Sequence, residues 1–343
     1  MDGALMAAEI AEQPQVLARI LDEGRAEIAR VGSAIRAYNP RFVLFIARGT
    51  SDHAALYAKY LVETQLGLGA GLVSPSTVTV YDAHPRLQGV LFVAVSQSGR
   101  SPDLLAPLSR ARAGGALTVA VTNAPDSPLA RAVAFHLDVR AGPERAVAAT
   151  KTFTAELLTL FLLVESIGGR QGSEAEALPR QAEEIIARRE MAQLAVRYRF
   201  AEQLVTTSRG YNYATAREAA LKLMETSYLV AQAFSGADLL HGTMAMIDRG
   251  FPVMAIVPEA PGGAALAPVV DRLQELGADI LVVGDPAIAA RARVGLPLVG
   301  LGAEALTPIL TILPLQQLAW CLARERGGDP DQPRGLKKVT ETW

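Results

Sequence analysis

The chain has 343 residues, is 50% hydrophobic and 20% charged, and carries a formal net charge of −2. That is enough apolar material for two cores of ordinary domain size, and the lack of any long basic or acidic block argues against a nucleic-acid or anionic-membrane surface. One cysteine, Cys321, can build neither a disulfide framework nor a cysteine-based metal site.

The opening MDGALMAAEIAEQP has no basic stretch followed by an apolar core, so no signal peptide is expected. With the lone cysteine this points to a reducing, cytoplasmic setting. Residues 14–38 place apolar side chains at helical spacing. FVLFIA (42–47) is a strand-length apolar run, GTS (49–51) a turn, and 52–63 a helix. The same strand–turn–helix unit recurs at 89–113 and 116–134, and a longer helix is expected over 149–166. Residues 168–192 are polar and helical in pattern. A second run follows: a weaker strand, turn and helix at 204–230, strands at 251–259 and 278–285 with a helix over 267–277 between them, and a last helix over 307–327. The longest apolar runs meet Pro, Gly or charge before about 18 residues, so no membrane span is expected.

Apolar strands alternating with helices predict an α/β chain with two doubly wound parallel sheets and flanking helices. The expected division is an N-terminal helical segment (1–39), a first domain (40–167), a helical linker (168–194), a second domain (195–328) and a tail (329–343). Ligands of such sheets lie outside the carboxyl ends of the strands.

Three groups of residues stand at such places. SQSGRS (96–101) follows a strand and precedes a helix opening at Pro102, a favoured first helical residue. Its hydroxyls, Gln97 and the free backbone N–H groups suit a phosphate. The alternative is a serine-rich helix cap without a ligand. Ser51, in the turn after a neighbouring strand, can add to the same site. On AREAALKLMETSYL (216–229), Lys222 and Glu225 share a helix face, with Leu221, Leu223, Met224 and Tyr228 suited to burial around them; an ordinary surface ion pair has the same spacing. His241 lies between an apolar stretch and a glycine turn, where a structural role is the commoner one. No His/Asp cluster predicts a metal site.

Taken in order, GTS, SQSGRS, ERAVAATKTFTAELL (144–158), SRGYNYATAREAALKLMETSYL (208–229), LLHGTMAMID (239–248) and DQPRGLKKVT (331–340) resemble the sugar-isomerase (SIS) family. The likeness is to the isomerase half of glucosamine-6-phosphate synthase, and it runs from about residue 40 to the end. It implies that Ser96, Gln97, Ser98 and Ser101 hold a 6-phosphate and that Thr50, Ser51 and Val147 line the sugar site. It also implies that Glu225 transfers the proton between C1 and C2, that Lys222 assists it, and that His241 opens the ring from across a homodimer with shared active sites. Lys338, in a tail that closes the site, falls on the family's Schiff-base lysine. No metal or organic cofactor is implied, and the only ligand is a small hexose 6-phosphate. Arg100, Ser101 and Ala149 depart from the family pattern; Ala149 removes a hydroxyl near the sugar. No glutaminase chemistry is expected of this chain. The resemblance therefore implies deamination of glucosamine 6-phosphate to fructose 6-phosphate. Ammonia-dependent synthesis, action on another amino-sugar or fructosamine phosphate, and a non-catalytic sugar-phosphate sensor are the alternatives.

Overall fold

Short apolar runs, each followed by a turn and a covering helix, can satisfy their backbone only by pairing side by side in parallel. In the computed structural model, which describes residues 3–338, they form two five-stranded parallel sheets. The first contains β1 (Phe42–Ile46), β2 (Gly69–Leu72), β3 (Val90–Ser96), β4 (Leu117–Thr122) and β5 (Phe135–Asp138), in the order β2-β1-β3-β4-β5. The second contains β6 (Gln203–Ser208), β7 (Val230–Ser235), β8 (Pro252–Val257), β9 (Asp279–Gly284) and β10 (Val294–Pro297), in the order β10-β9-β8-β6-β7. Sequence reading misses β2, β7 and β10, whereas the fourth edge strand, β5, is legible as the strand-like AFHLDVR (134–140). The three missed strands are edge strands, paired on one side and partly exposed, so they carry no continuous apolar run.

Each sheet anchors its own contact unit. Among the described residues the first unit takes in 12–144, 149–179 and 337–338; the second takes in 3–11, 145–148 and 180–336. The opening residues are helical as expected, yet they are shared between the units. The Ala4–Ala11 helix belongs with the second sheet, where Trp320 Nε1 donates to Gly3 O at 2.7 Å. The Arg25–Tyr38 helix belongs with the first, packed on the Lys151–Ile167 helix. The tail is divided likewise, between Leu336 and Lys337.

The core of the first unit gathers Ile46, Phe92, Ala94, Leu104, Leu108 and Leu129; that of the second gathers Val253, Ala255, Val257, Leu266, Val270 and Ile280. In the second unit the Asn212–Ser227 helix is pinned to the Thr307–Glu325 helix by buried polar bonds. Asn212 Nδ2 donates to Thr307 Oγ1 at 2.6 Å, and Thr311 Oγ1 donates to Asn212 Oδ1 at 2.7 Å. The last helix continues through Pro308 and Pro314. Residues 304–325 are therefore long and apolar enough to cross a membrane, against the expectation from interrupted runs. The apolar window, of mean hydropathy 1.4, is 83% buried inside the fold, as in the core helix of a globular unit.

Gly284, at the end of β9, has φ +126°, and a Cβ there would lie 2.1 Å from the carbonyl oxygen of Val257. Backbone strain and a backbone clash then act together. Gly284→Ala is expected to cost about 2 kcal/mol or more, read as a lowered urea midpoint with an unchanged slope.

Candidate active site

The first unit holds the serine loop where the carboxyl ends of its strands open. β3 stops at Ser96, whose Oγ accepts from Gly99 N at 3.1 Å. Ser98 Oγ faces Arg100 N at 3.4 Å. Gly99 has φ +59°, and a Cβ there would meet Ser127 Oγ at 2.2 Å, so the turn admits no side chain. Neighbouring backbone fixes the turn further: Asn123 N donates to Gln97 O and Leu129 N to Gly99 O, both at 3.1 Å. Ser101 precedes the Pro102–Ala113 helix in extended conformation but makes no side-chain cap. The serine-rich cap alternative therefore loses its main residue. Gln97, Ser98 and Ser101 are half-buried, and Arg100 is exposed.

Gln97 also lines a cavity of about 560 Å³ with Arg19, Asn123, Asp138, Arg140, Gly142, Pro143 and Glu144. Glu144 is the most constrained of these. Its Oε1 accepts from Thr150 N at 2.9 Å and Thr152 N at 3.1 Å, at the start of the Lys151–Ile167 helix. Its Oε2 accepts from Lys338 Nζ at 2.9 Å. Burial alone would raise the Glu144 carboxyl pKa. The Lys338 charge and hydrogen bond, with the two backbone N–H groups, outweigh it and hold the group below the ordinary carboxylate range. The Glu144 side chain is fully buried and that of Lys338 is 23% exposed. Lys338 thus sits on a carboxylate at the edge of the cavity that Gln97 lines.

Thr50 is half-buried at the head of the Thr50–Leu61 helix. Ser51, expected beside the phosphate, turns inward: its Oγ donates to Glu156 Oε1 at 2.8 Å, and both residues are buried. With its proton committed there, the Ser51 Oγ can accept a further hydrogen bond but not donate one.

In the second unit the Asn212–Ser227 helix carries a buried charge cluster. Lys222 Nζ lies 2.6 Å from Glu225 Oε2 and 3.3 Å from Glu218 Oε1. Burial works against its charge, but the two carboxylates overcome that and raise the ammonium well above its ordinary pKa. A surface ion pair is excluded, because Lys222 and Glu218 are fully buried. The Glu225 side chain is 22% exposed, and its Oε1 has no partner among the described residues. Met224 and Tyr228, expected to be buried, are 41% and 36% exposed. The inward stripe runs through Glu218, Lys222 and Thr226 at four-residue spacing, and Met224 projects to another side.

His241 follows the Gly236–Leu240 helix and is exposed. Its backbone N donates to Asp238 O at 3.0 Å, and no hydrogen bond joins its ring to Lys222 or Glu225. Val147, in the second unit, is half-buried, and its N lies 3.4 Å from Asp331 O. Among the described residues no group of three or more His, Cys, Asp or Glu is arranged to hold a metal. Sequence reading missed Glu144, Glu156 and Glu218. Glu218 was within reach, four residues before Lys222 on one helix face. Glu144 and Glu156 gain meaning only from partners far along the chain.

The depressed Glu144 pKa predicts a pH signature. Its contribution is fully present above the unfolded value, near 4.5, and is lost as pH falls through the lower folded value. The stability gap between the wild type and Glu144→Gln should be constant at neutral pH and close progressively below about pH 4.5, as followed by denaturant titrations at stepped pH.

Residues 38–166 and 198–292 match the SIS domain family. The glutamine–fructose-6-phosphate aminotransferase (isomerizing) of Gloeobacter violaceus is 35% identical over 356 residues, covering 97% of this chain and 58% of that protein. The Pseudomonas aeruginosa protein of the same name is 36% identical, with the same coverage. The chain thus spans less than two thirds of the curated relatives it matches. Among solved structures, a candidate phosphosugar isomerase from Silicibacter pomeroyi superposes with a TM-score of 0.87 at 36% identity, covering 96% of this chain and all of that one. The C-terminal domain of glucosamine-fructose-6-phosphate aminotransferase from Francisella tularensis gives 0.83 at 26% identity, covering 96% and 98%. On the paired parallel sheets and the two matched segments, the chain belongs to the SIS domain family.

Proposed function

We propose that the protein is a phosphosugar aldose–ketose isomerase that converts glucosamine 6-phosphate to fructose 6-phosphate and ammonia. The observation that carries this reading is the buried Lys222 ammonium, which binds one oxygen of Glu225 while the other has no hydrogen bond among the described residues. A carboxylate in that state can take a proton from one carbon and return it to the next.

The roles follow from the chemistry each group can do. The serine loop, through Ser96, Gln97, Ser98 and Ser101, holds the 6-phosphate and turns binding into positioning. Thr50, Ser51 and Val147 line the sugar. His241, whose imidazole can accept a proton at one nitrogen and donate one from the other, opens the ring; the assignment has it act on the neighbouring subunit of a homodimer. Glu225 removes the proton from C2 of the open 2-amino aldose, and the aldehyde oxygen at C1 is protonated, giving an enaminol. Return of the proton to C1 yields the C2 imine. Water adds there and ammonia leaves, which balances the reaction. Lys222 stabilises the charge that builds on the enaminol. Lys338 is assigned to the C2 end of the sugar.

A second reading runs the same steps from fructose 6-phosphate and ammonia toward glucosamine 6-phosphate. The shared name of the curated relatives favours it. Both are tested by incubating the protein with glucosamine 6-phosphate, then with fructose 6-phosphate and ammonium, and assaying each product.

Glu225→Gln should lower kcat by about a thousandfold while glucosamine 6-phosphate still raises the thermal midpoint; unchanged turnover would refute the assignment. Ser98→Ala should raise KM about tenfold, the worth of one charged hydrogen bond, with kcat nearly unchanged in steady-state assays. His241→Ala and Glu225→Gln chains, each inactive alone, should regain activity when unfolded and refolded together.

A further inference from the structure

The tail reaches Lys338, but the groups that hold its approach lie at the other end of the chain. Asp331 caps the Ala4–Ala11 helix twice: Oδ2 accepts from Leu5 N at 2.9 Å and Oδ1 from Met6 N at 2.8 Å. Asp329 Oδ1 accepts from Gly3 N at 3.0 Å. One turn further along the same helix, Glu9 accepts from the backbone N–H groups of Arg145 and Ala146, the latter at 3.3 Å. Val147 N then faces Asp331 O at 3.4 Å. Asp331 and Glu9 are 8% and 4% exposed.

An eight-residue helix is too short to persist alone. Its first turn is completed by the tail, and its second turn grips the 145–146 backbone. Those are the two stretches of chain that continue into Lys338 and begin right after Glu144. A further clamp on the tail is weaker: Arg334 stacks on Tyr228 at 4.1 Å, and both are exposed. Beyond Arg334 only four residues remain to Lys338, a reach of at most about 14 Å. Small changes in where the tail is gripped therefore move the amine.

We propose that the Ala4–Ala11 helix is the fixture that registers the tail, and that Asp331 and Glu9 are positioning residues for the Lys338–Glu144 pair. The catalytic consequence rests on the reaction proposed above; the positioning itself does not.

The test is competitive acylation of the full chain with an amine-reactive acetyl ester, read site by site by mass spectrometry. Exposed Lys337 is the internal reference, and buried Lys222 reports an intact fold. In the wild type, Lys338 should react several times more slowly than Lys337. In Asp331→Ala its rate should rise about tenfold toward that of Lys337, with Lys222 still unreactive, and Asp331→Asn should recover part of the protection. If Asp331→Ala does not fold, Glu9→Gln carries the test, with a rise of about threefold expected. A folded Asp331→Ala or Glu9→Gln protein whose Lys338 reacts at the wild-type rate overturns the proposal. A wild type that turns over no amino sugar yet shows the acylation response loses the reaction and keeps the positioning.

Discussion

A charge withdrawn from water must be matched where it lies, and this requirement shapes every part of the molecule that bears on chemistry. Removing one partner of a buried pair typically costs about 3–5 kcal/mol, so each match also fixes geometry. Glu144 is matched by two helix N–H groups and by Lys338. Lys222 is matched by Glu218 and Glu225. Lys151, 2% exposed, is matched by Glu12 at 2.5 Å. Asp331 is matched by the head of a helix.

These matches do different work. The Lys222 cluster lies within one helix, so its geometry survives as long as that helix does. Lys222 binds one Glu225 oxygen there, while the Glu225 side chain stays 22% exposed. The Glu144–Lys338 pair instead joins residues 194 positions apart, so no single element holds it. A charge cluster contained in one helix and an ion pair between residues far apart in sequence thus coexist in one chain. The serine loop is a third kind: its shape comes from a glycine with no room for a Cβ and from backbone bonds to neighbouring loops rather than from any buried charge.

Local pattern made much of this legible. Strand-length apolar runs followed by polar turns identified the central strands of both sheets, because those strands are buried on both faces. The edge strands β2, β7 and β10 were not legible, since their stability comes from one neighbour rather than from their own side chains. Lys222 and Glu225 were visible as a pair. Their burial was not, because a three-residue spacing reads the same on a solvated face. Ser51 was placed beside the sugar by motif, and only its bond to Glu156 shows which way its proton points.

The sequence by itself determined the two parallel sheets, the serine loop at a strand end and the Lys222–Glu225 face, all of which follow from residues within a few turns of one another. Tertiary structure alone decided that Glu144 holds Lys338, that Asp331 completes the first helix, and that the opening and closing residues are parted between two units. The reason is physical: periodicity records which face of an element meets the core, whereas the pairing of buried charges depends on where distant segments are brought together, and no local spacing encodes that meeting.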